Sequence, residues 1–155
     1  MSLPDSKITE LISKWSNGNH DAAEFMSNIA AIARLADNIT DGDSDDPVSD
    51  MGDLLYRTLI TMQLNPFYEK HKLSLFPVIV NAIVGWQNSE KWRKSPEPKK
   101  RIFAFVYREL VEQIMWTVAL ITGGIRHVHK VADEIYEQSH KANGETFETW
   151  DTKEN

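Results

Sequence analysis

Along most of the chain, apolar residues recur three and four positions apart, the spacing that gathers them on one face of an α-helix. Pro4 opens a first short helix whose Ile8, Leu11, Ile12 and Trp15 share a face, and Asn17-Gly18-Asn19 stops it. A second helix starts at Asn19 or His20 and carries Ala22, Phe25, Met26, Ile29, Ile32, Ala33, Ala36 and Ile39 as a buried stripe. Its alanines add intrinsic helix propensity. Asp41-Gly42-Asp43-Ser44-Asp45-Asp46 reads as a loop. A third helix begins at Pro47 or Val48 with Met51, Leu54, Leu55, Leu59 and Met62 inward, and Asn65-Pro66 ends it, because a proline ring disfavours helical geometry at the residue before it.

The stretch from Asn65 to His71 reads as an aromatic connection or a single turn, and a fourth element runs from Leu73 to about Trp92. Val78-Ile79-Val80 and Ile83-Val84 favour a strand by propensity. The run is long for one strand and has no neighbouring strand to pair with, so it reads as a helix apolar nearly all round and central in a bundle. Arg93 to Lys100, with Pro96 and Pro98 among basic residues, is a loop. A fifth helix covers Ile102 to Ile121, Gly123-Gly124 breaks or kinks it, and a sixth covers Arg126 to His140. The expected architecture is all-α: a single-domain bundle of five to six helices over residues 1–141. Residues 142–155 are polar and acidic apart from Phe147 and Trp150, and are expected to form a loose tail.

Composition narrows the function classes. The chain has 155 residues, 41% hydrophobic and 26% charged, and no cysteine, which suits one soluble domain without a disulfide framework or thiol chemistry. Seventeen basic against 23 acidic side chains leave a net charge of −6, which argues against a general grip on nucleic acid or anionic lipid. The longest apolar stretch, Leu75 to Trp86, is too short for a membrane span, and Met1 to Lys14 is too polar for a signal-peptide core, so a cytoplasmic location is expected. The acid is unevenly spread. Asp37, Asp41, Asp43, Asp45, Asp46, Asp50 and Asp53 follow one another with no basic residue between them.

Two acidic pairs carry the candidate chemistry. Asp37 and Asp41 lie one helical turn apart on one face, and two such carboxylates suit a hard cation such as Mg²⁺, which takes oxygen ligands and keeps waters for phosphate exchange. A plainer reading leaves them as bystanders at a fraying helix end, where acids oppose the macrodipole. Glu109 and Glu112 are three apart on the fifth helix, among Ile102, Phe105 and Trp116, with Arg108 beside them. They can face one cation, while the structural alternative is a partly buried ion pair involving Arg108. The candidate metal ligands are therefore Asp37, Asp41, Glu109 and Glu112. Arg108 is the candidate catalytic residue, placed to neutralise developing charge.

Other motifs carry less. Asp41-x-Asp43-x-Asp45 opens like a calcium loop, but Asp46 and Gly52 stand where glycine and glutamate are required. His127 and His129 point apart on a helix, and His20 reads as a residue at a helix start. Asp53 with Arg57 is an ordinary four-apart pair, and Asn81 reads as a satisfied core amide or a second-shell partner of a carboxylate. Lys91, Arg93, Lys94, Lys99, Lys100 and Arg101 form the basic cluster, able to receive phosphate or an acidic partner but more simply a solubilising linker.

Leu35-Ala36-Asp37-Asn38-Ile39-Thr40-Asp41-Gly42-Asp43, then Asn65-Pro66-Phe67-Tyr68 and Tyr107-Arg108-Glu109, resemble a group of small helical proteins of tailed bacteriophages. The resemblance spans most of residues 10–140 and implies action in the cytoplasm of an infected bacterium, with no reaction attached. The Asp37…Asp41 spacing is also similar to the acidic motif of isoprenoid synthases, where magnesium holds a diphosphate, although this chain is too short for that fold and has no second such motif. Glu109-x-x-Glu112 is similar to the acidic pair of all-α nucleotide pyrophosphohydrolases, whose second acidic motif does not recur here at matching spacing. Two readings follow. The favoured one is a non-catalytic binding protein acting on a host or phage protein. The other is magnesium-dependent binding or hydrolysis of a phosphorylated small molecule or nucleotide. Five tryptophans leave a homo-oligomer open to either.

Overall fold

Asn19 and Asn65 organise the bundle, because each caps a long helix and one of them joins the two. The Asn19 side chain accepts from the Ala22 N–H at 2.9 Å and starts α2, and the Asn65 side chain accepts from the Tyr68 N–H at 2.9 Å and starts α4. Asn65 Nδ2 also donates to the Asp21 carbonyl at 2.9 Å, so α2 and α4 begin side by side. The computed structural model describes residues 5–141 and 144–154. In order, the helices are α1 (Asp5–Trp15), α2 (His20–Asp41), α3 (Pro47–Tyr56), α4 (Pro66–Trp92), α5 (Pro98–Tyr107), α6 (Val111–Tyr136) and α7 (Phe147–Glu154). Two π-helical turns, Arg57–Thr61 and Glu137–Lys141, extend α3 and α6.

The all-α reading holds, with seven α-helices among the described residues in place of the expected five to six. The added helix is α7, the expected sixth helix is the second arm of α6, and prolines move the starts of others. Pro47, Pro66 and Pro98 each sit in the first turn of a helix, where the missing N–H costs nothing. The stretch from Asn65 to His71 is thus the start of α4 and not a connection. The expected fifth helix divides at residues 108–110, and α6 begins at Val111.

At Gly124 the backbone leaves helical geometry with φ 78° and ψ 178°, a conformation confined in practice to glycine. The reversal is sharp. His140 meets Glu112, 28 residues away, whereas an unbroken helix would hold them roughly 42 Å apart. A Cβ on Gly123 would lie 2.4 Å from the His127 ring, so both glycines are needed where the arms meet.

The core lies between α2, α4 and the arms of α6. Phe25 stacks on Tyr68 and tilts against Phe67, both at 5.8 Å between ring centres, over fully buried Met26, Leu75, Val118, Val131 and Ile135. Buried Trp15 donates its indole N–H to Glu134 at 2.8 Å and fastens α1 to the second arm of α6.

Five expectations about burial are corrected. The α2 stripe is buried only as far as Ile29, with Ile32, Ala33, Ala36 and Ile39 half-buried, and Asn81 of α4, expected in the core, is exposed. Met51, Leu55 and Leu59 do not point inward: they are exposed, Leu54 is half-buried, and Met62 alone of that set is buried. Among the described residues, α3 packs only on α2 and its own π turn, which leaves most of its stripe uncovered. The helix α4 is not buried all round, because Leu73, Phe76, Val80, Ile83 and Val84 are exposed along one side. Residues 147–154, expected to trail loosely, form α7 on α5, with Trp150 buried against Phe105 and Asp151 paired with Arg101 at 2.8 Å.

Candidate acidic site at the α5–α6 junction

The break between α5 and α6 turns the chain over the end of the bundle and presents Arg108 and Glu109 there. Gly85 on α4 makes this approach possible. A Cβ at that position would lie 2.3 Å from Leu110 Cδ1 and 3.2 Å from the Tyr107 carbonyl oxygen. Asp37 and Asp41, on the last turns of α2, and Glu90, near the end of α4, complete the junction.

Asp37 records the electrostatics of this junction. Its carboxyl is pushed above the ordinary value, first by partial burial, then by the charge of Asp41, with Glu109 and Glu90 adding to the rise and the Arg108 guanidinium opposing it. The residue is nonetheless exposed at the surface, where water screens the repulsion without removing it. Three of the expected site residues beside it, Asp41, Arg108 and Glu109, therefore share one electrostatic neighbourhood with Asp37, and Glu90 joins them.

Glu112 meets Glu109 at the His140 ring. It is buried and hydrogen-bonded to His140 Nε2, while His140 Nδ1 lies 3.9 Å from Glu109. Arg108 bridges two acids, donating from Nε to Glu109 at 3.2 Å and from Nη2 to Glu145. Its guanidinium also lies over the rings of Phe105, at 5.3 Å, and Trp150, at 5.6 Å. The ion pair expected as the structural alternative thus forms, within the same cluster. As the side chains stand, Asp37, Asp41, Glu109 and Glu112 do not close into one cage. The described group of His, Asp and Glu whose ligand atoms all come within 4.8 Å is His20, Asp21 and Glu24, on the solvent side of the first turn of α2.

Glu109 and Glu112 also line a cavity of about 370 Å³ between α5, the two arms of α6 and residue 145. Phe105, Trp116 and Tyr136 supply aromatic walls, and Gln113, His140 and Glu145 supply polar groups. Sequence reasoning set Phe105 and Trp116 beside these acids but missed Tyr136, His140 and Glu145. The reversal at Gly124 was the available signal, since folding the chain there and counting equally along both arms sets Glu112 opposite Tyr136, one turn from His140.

Compared with family models, curated proteins and solved structures, the chain matches none. No helix among the described residues is long and apolar enough to cross a membrane.

Proposed function

We propose that the protein binds a divalent cation, magnesium by its chemistry, at the junction of α2, α4 and the α5–α6 turn. Through that ion it would bind a phosphorylated small molecule of the nucleotide class. The observation that carries the reading is the gathering of Asp41, Glu109 and Glu90 about Asp37, whose charges add to the rise that burial begins while Arg108 opposes it and Arg93 pairs with Glu90. Like charges held together this way oppose the fold until a cation arrives, and oxygen ligands that retain several waters are what magnesium requires. The neighbouring cavity is within the roughly 300–1,000 Å³ usual for small-molecule pockets, and its aromatic walls suit a planar base.

In this reading Asp37, Asp41 and Glu109 hold the ion, Glu112 with His140 sets the orientation of the inner wall, and Arg108 meets phosphoryl charge by exchanging Glu145 for the ligand. A metal so placed would polarise a phosphoryl oxygen and position water. The resemblance to tailed-phage proteins supports an infected bacterium's cytoplasm as the setting. Calorimetric titration with MgCl₂, then with a nucleoside triphosphate at saturating magnesium, tests the reading, and phosphorus NMR of the mixture separates binding from cleavage. Heat that depends on magnesium in the parent and is lost in Asp37→Ala is the expected result. An athermal titration, with no change in the protein's amide spectrum, would sink it.

A second reading is favoured by one observation. Arg108 and His140 are already engaged by carboxylates, as in a purely structural network. On that reading the protein is non-catalytic and presents its acidic segment, 37–53, to a basic host or phage protein. Retention of a specific basic protein from bacterial lysate, unaffected by magnesium, would favour it over the first.

A further inference from the structure

The helix α3 has ten residues and none of them is buried. A helix this short is marginal alone in water, because helices in proteins draw most of their stability from packing an apolar face. Here the apolar face exists and is turned outward. Val48, Leu55 and Leu59 are 84%, 51% and 62% exposed, and at about 100° per residue they lie within a narrow stripe. One side of α4 repeats the arrangement, with Leu73, Phe76 and Val80 at 81%, 49% and 54%. Spacings of three, four and seven are those of a helix-to-helix seam. Among the described residues α3 and α4 do not touch each other, although both pack on α2. Two open apolar seams therefore stand on the helices that pack against α2, which itself has no buried residue after Ile29.

Surface area indicates how much remains to be covered. A folded monomer of 17.8 kDa is expected to expose roughly 8,000 Å². This chain exposes 9867 Å². The surplus, roughly 1,900 Å², is about what each subunit of an obligate homodimer buries, where interfaces total about 2,000–5,000 Å² and are more apolar than transient ones. A seam that is apolar along its whole length, with no polar residue needing a particular partner, is also self-complementary, as a two-fold interface requires.

We infer that α3 and α4 form a two-fold interface with a second copy of this chain, so that the working protein is a homodimer. The pairing covers both seams, and it supplies the packing that α3 lacks within one subunit. It stands independently of the cation site, whose residues lie at the end of the bundle and not on the seam.

Sedimentation velocity of the full chain, with mass from light scattering, tests this. The expected species has twice the 17.8 kDa of one chain. Leu59→Lys and Val80→Lys should each raise the dissociation constant at least about tenfold, since each buries a charge against the partner. Ile125→Lys, equally exposed but on the second arm of α6, should leave the dimer intact. Hydrogen exchange on the unmodified protein is independent of how the variants fold: amides of α3 should gain protection as concentration rises. A monomer at about 100 µM, with α3 exchange independent of concentration, would overturn the proposal and assign the seams to a different protein. So would a dimer that both lysine variants leave unchanged.

Discussion

Asp37 and Glu134 are both carboxylates near helix ends, yet their surroundings drive them in opposite directions. For Asp37, partial burial and the acids at positions 41, 109 and 90 outweigh Arg108, so the folded state holds its proton more tightly than the unfolded chain does. Its ionisation therefore opposes folding: stability falls as pH rises from the ordinary carboxylate value through the raised one, and the loss persists at neutral pH. Replacing Asp37 by Asn should stabilise the metal-free protein at pH 7 by a few tenths of a kcal/mol, modest because solvent screens the site. The gain should vanish in acid, which denaturant melts at several pH values will show. At Glu134, burial alone would push the carboxyl up, but hydrogen bonds from Lys14 and Trp15 outweigh it and hold the group below its ordinary value. That contribution is complete above the ordinary carboxylate pKa and disappears as pH falls through the depressed one. Glu134→Ala leaves the Trp15 indole N–H without its acceptor and should cost about 1–3 kcal/mol in urea unfolding.

Elements depend on where the chain turns as much as on what it carries. Gly124→Ala forces a Cβ onto a backbone at φ 78° and ψ 178°, at a cost of about 1–3 kcal/mol. It should also loosen the reversal that brings His140 to Glu112, visible as a change in the His140 ring resonances. Leu75→Ala, at a fully buried position of α4, should cost about 2–5 kcal/mol in the same unfolding assay and leave those resonances in place. The periodic spacing of apolar residues made α1, α2 and the core half of α4 legible from sequence. It did not show that α3 turns its stripe outward, because periodicity marks an apolar face without naming what covers it. Residues 102–121 keep their period straight through the break at 108–110, so the division into α5 and α6 left no trace in the pattern. The helix α7 escaped for a different reason: its burial rests on Trp150 reaching Phe105, a contact between segments far apart in the chain.

Across the whole molecule the excess negative charge is a local feature. The seven acids between Asp37 and Asp53 exceed the net charge of −6, and they begin where α2 approaches Arg108 and Glu109. Sequence alone indicated Asp37, Asp41, Glu109 and Glu112 as a group beside Arg108, since the helical spacings put each acidic pair on one face. It could not show that His140 takes up Glu112 across the reversal, with its other ring nitrogen toward Glu109. A cation bound only by the folded state adds stability by mass action, about 2.7 kcal/mol at a hundred times its dissociation constant. Magnesium should therefore raise the melting temperature of the parent protein and leave that of Asp37→Ala where it was.

The most direct test is the ionisation of Asp37 itself, followed by carboxyl carbon NMR as pH is varied, with and without saturating magnesium. A cation seated at the junction must favour the charged carboxylate. The account predicts a pKa above the ordinary value in the metal-free protein that falls clearly when magnesium is present. A titration curve for Asp37 that magnesium does not move would contradict it.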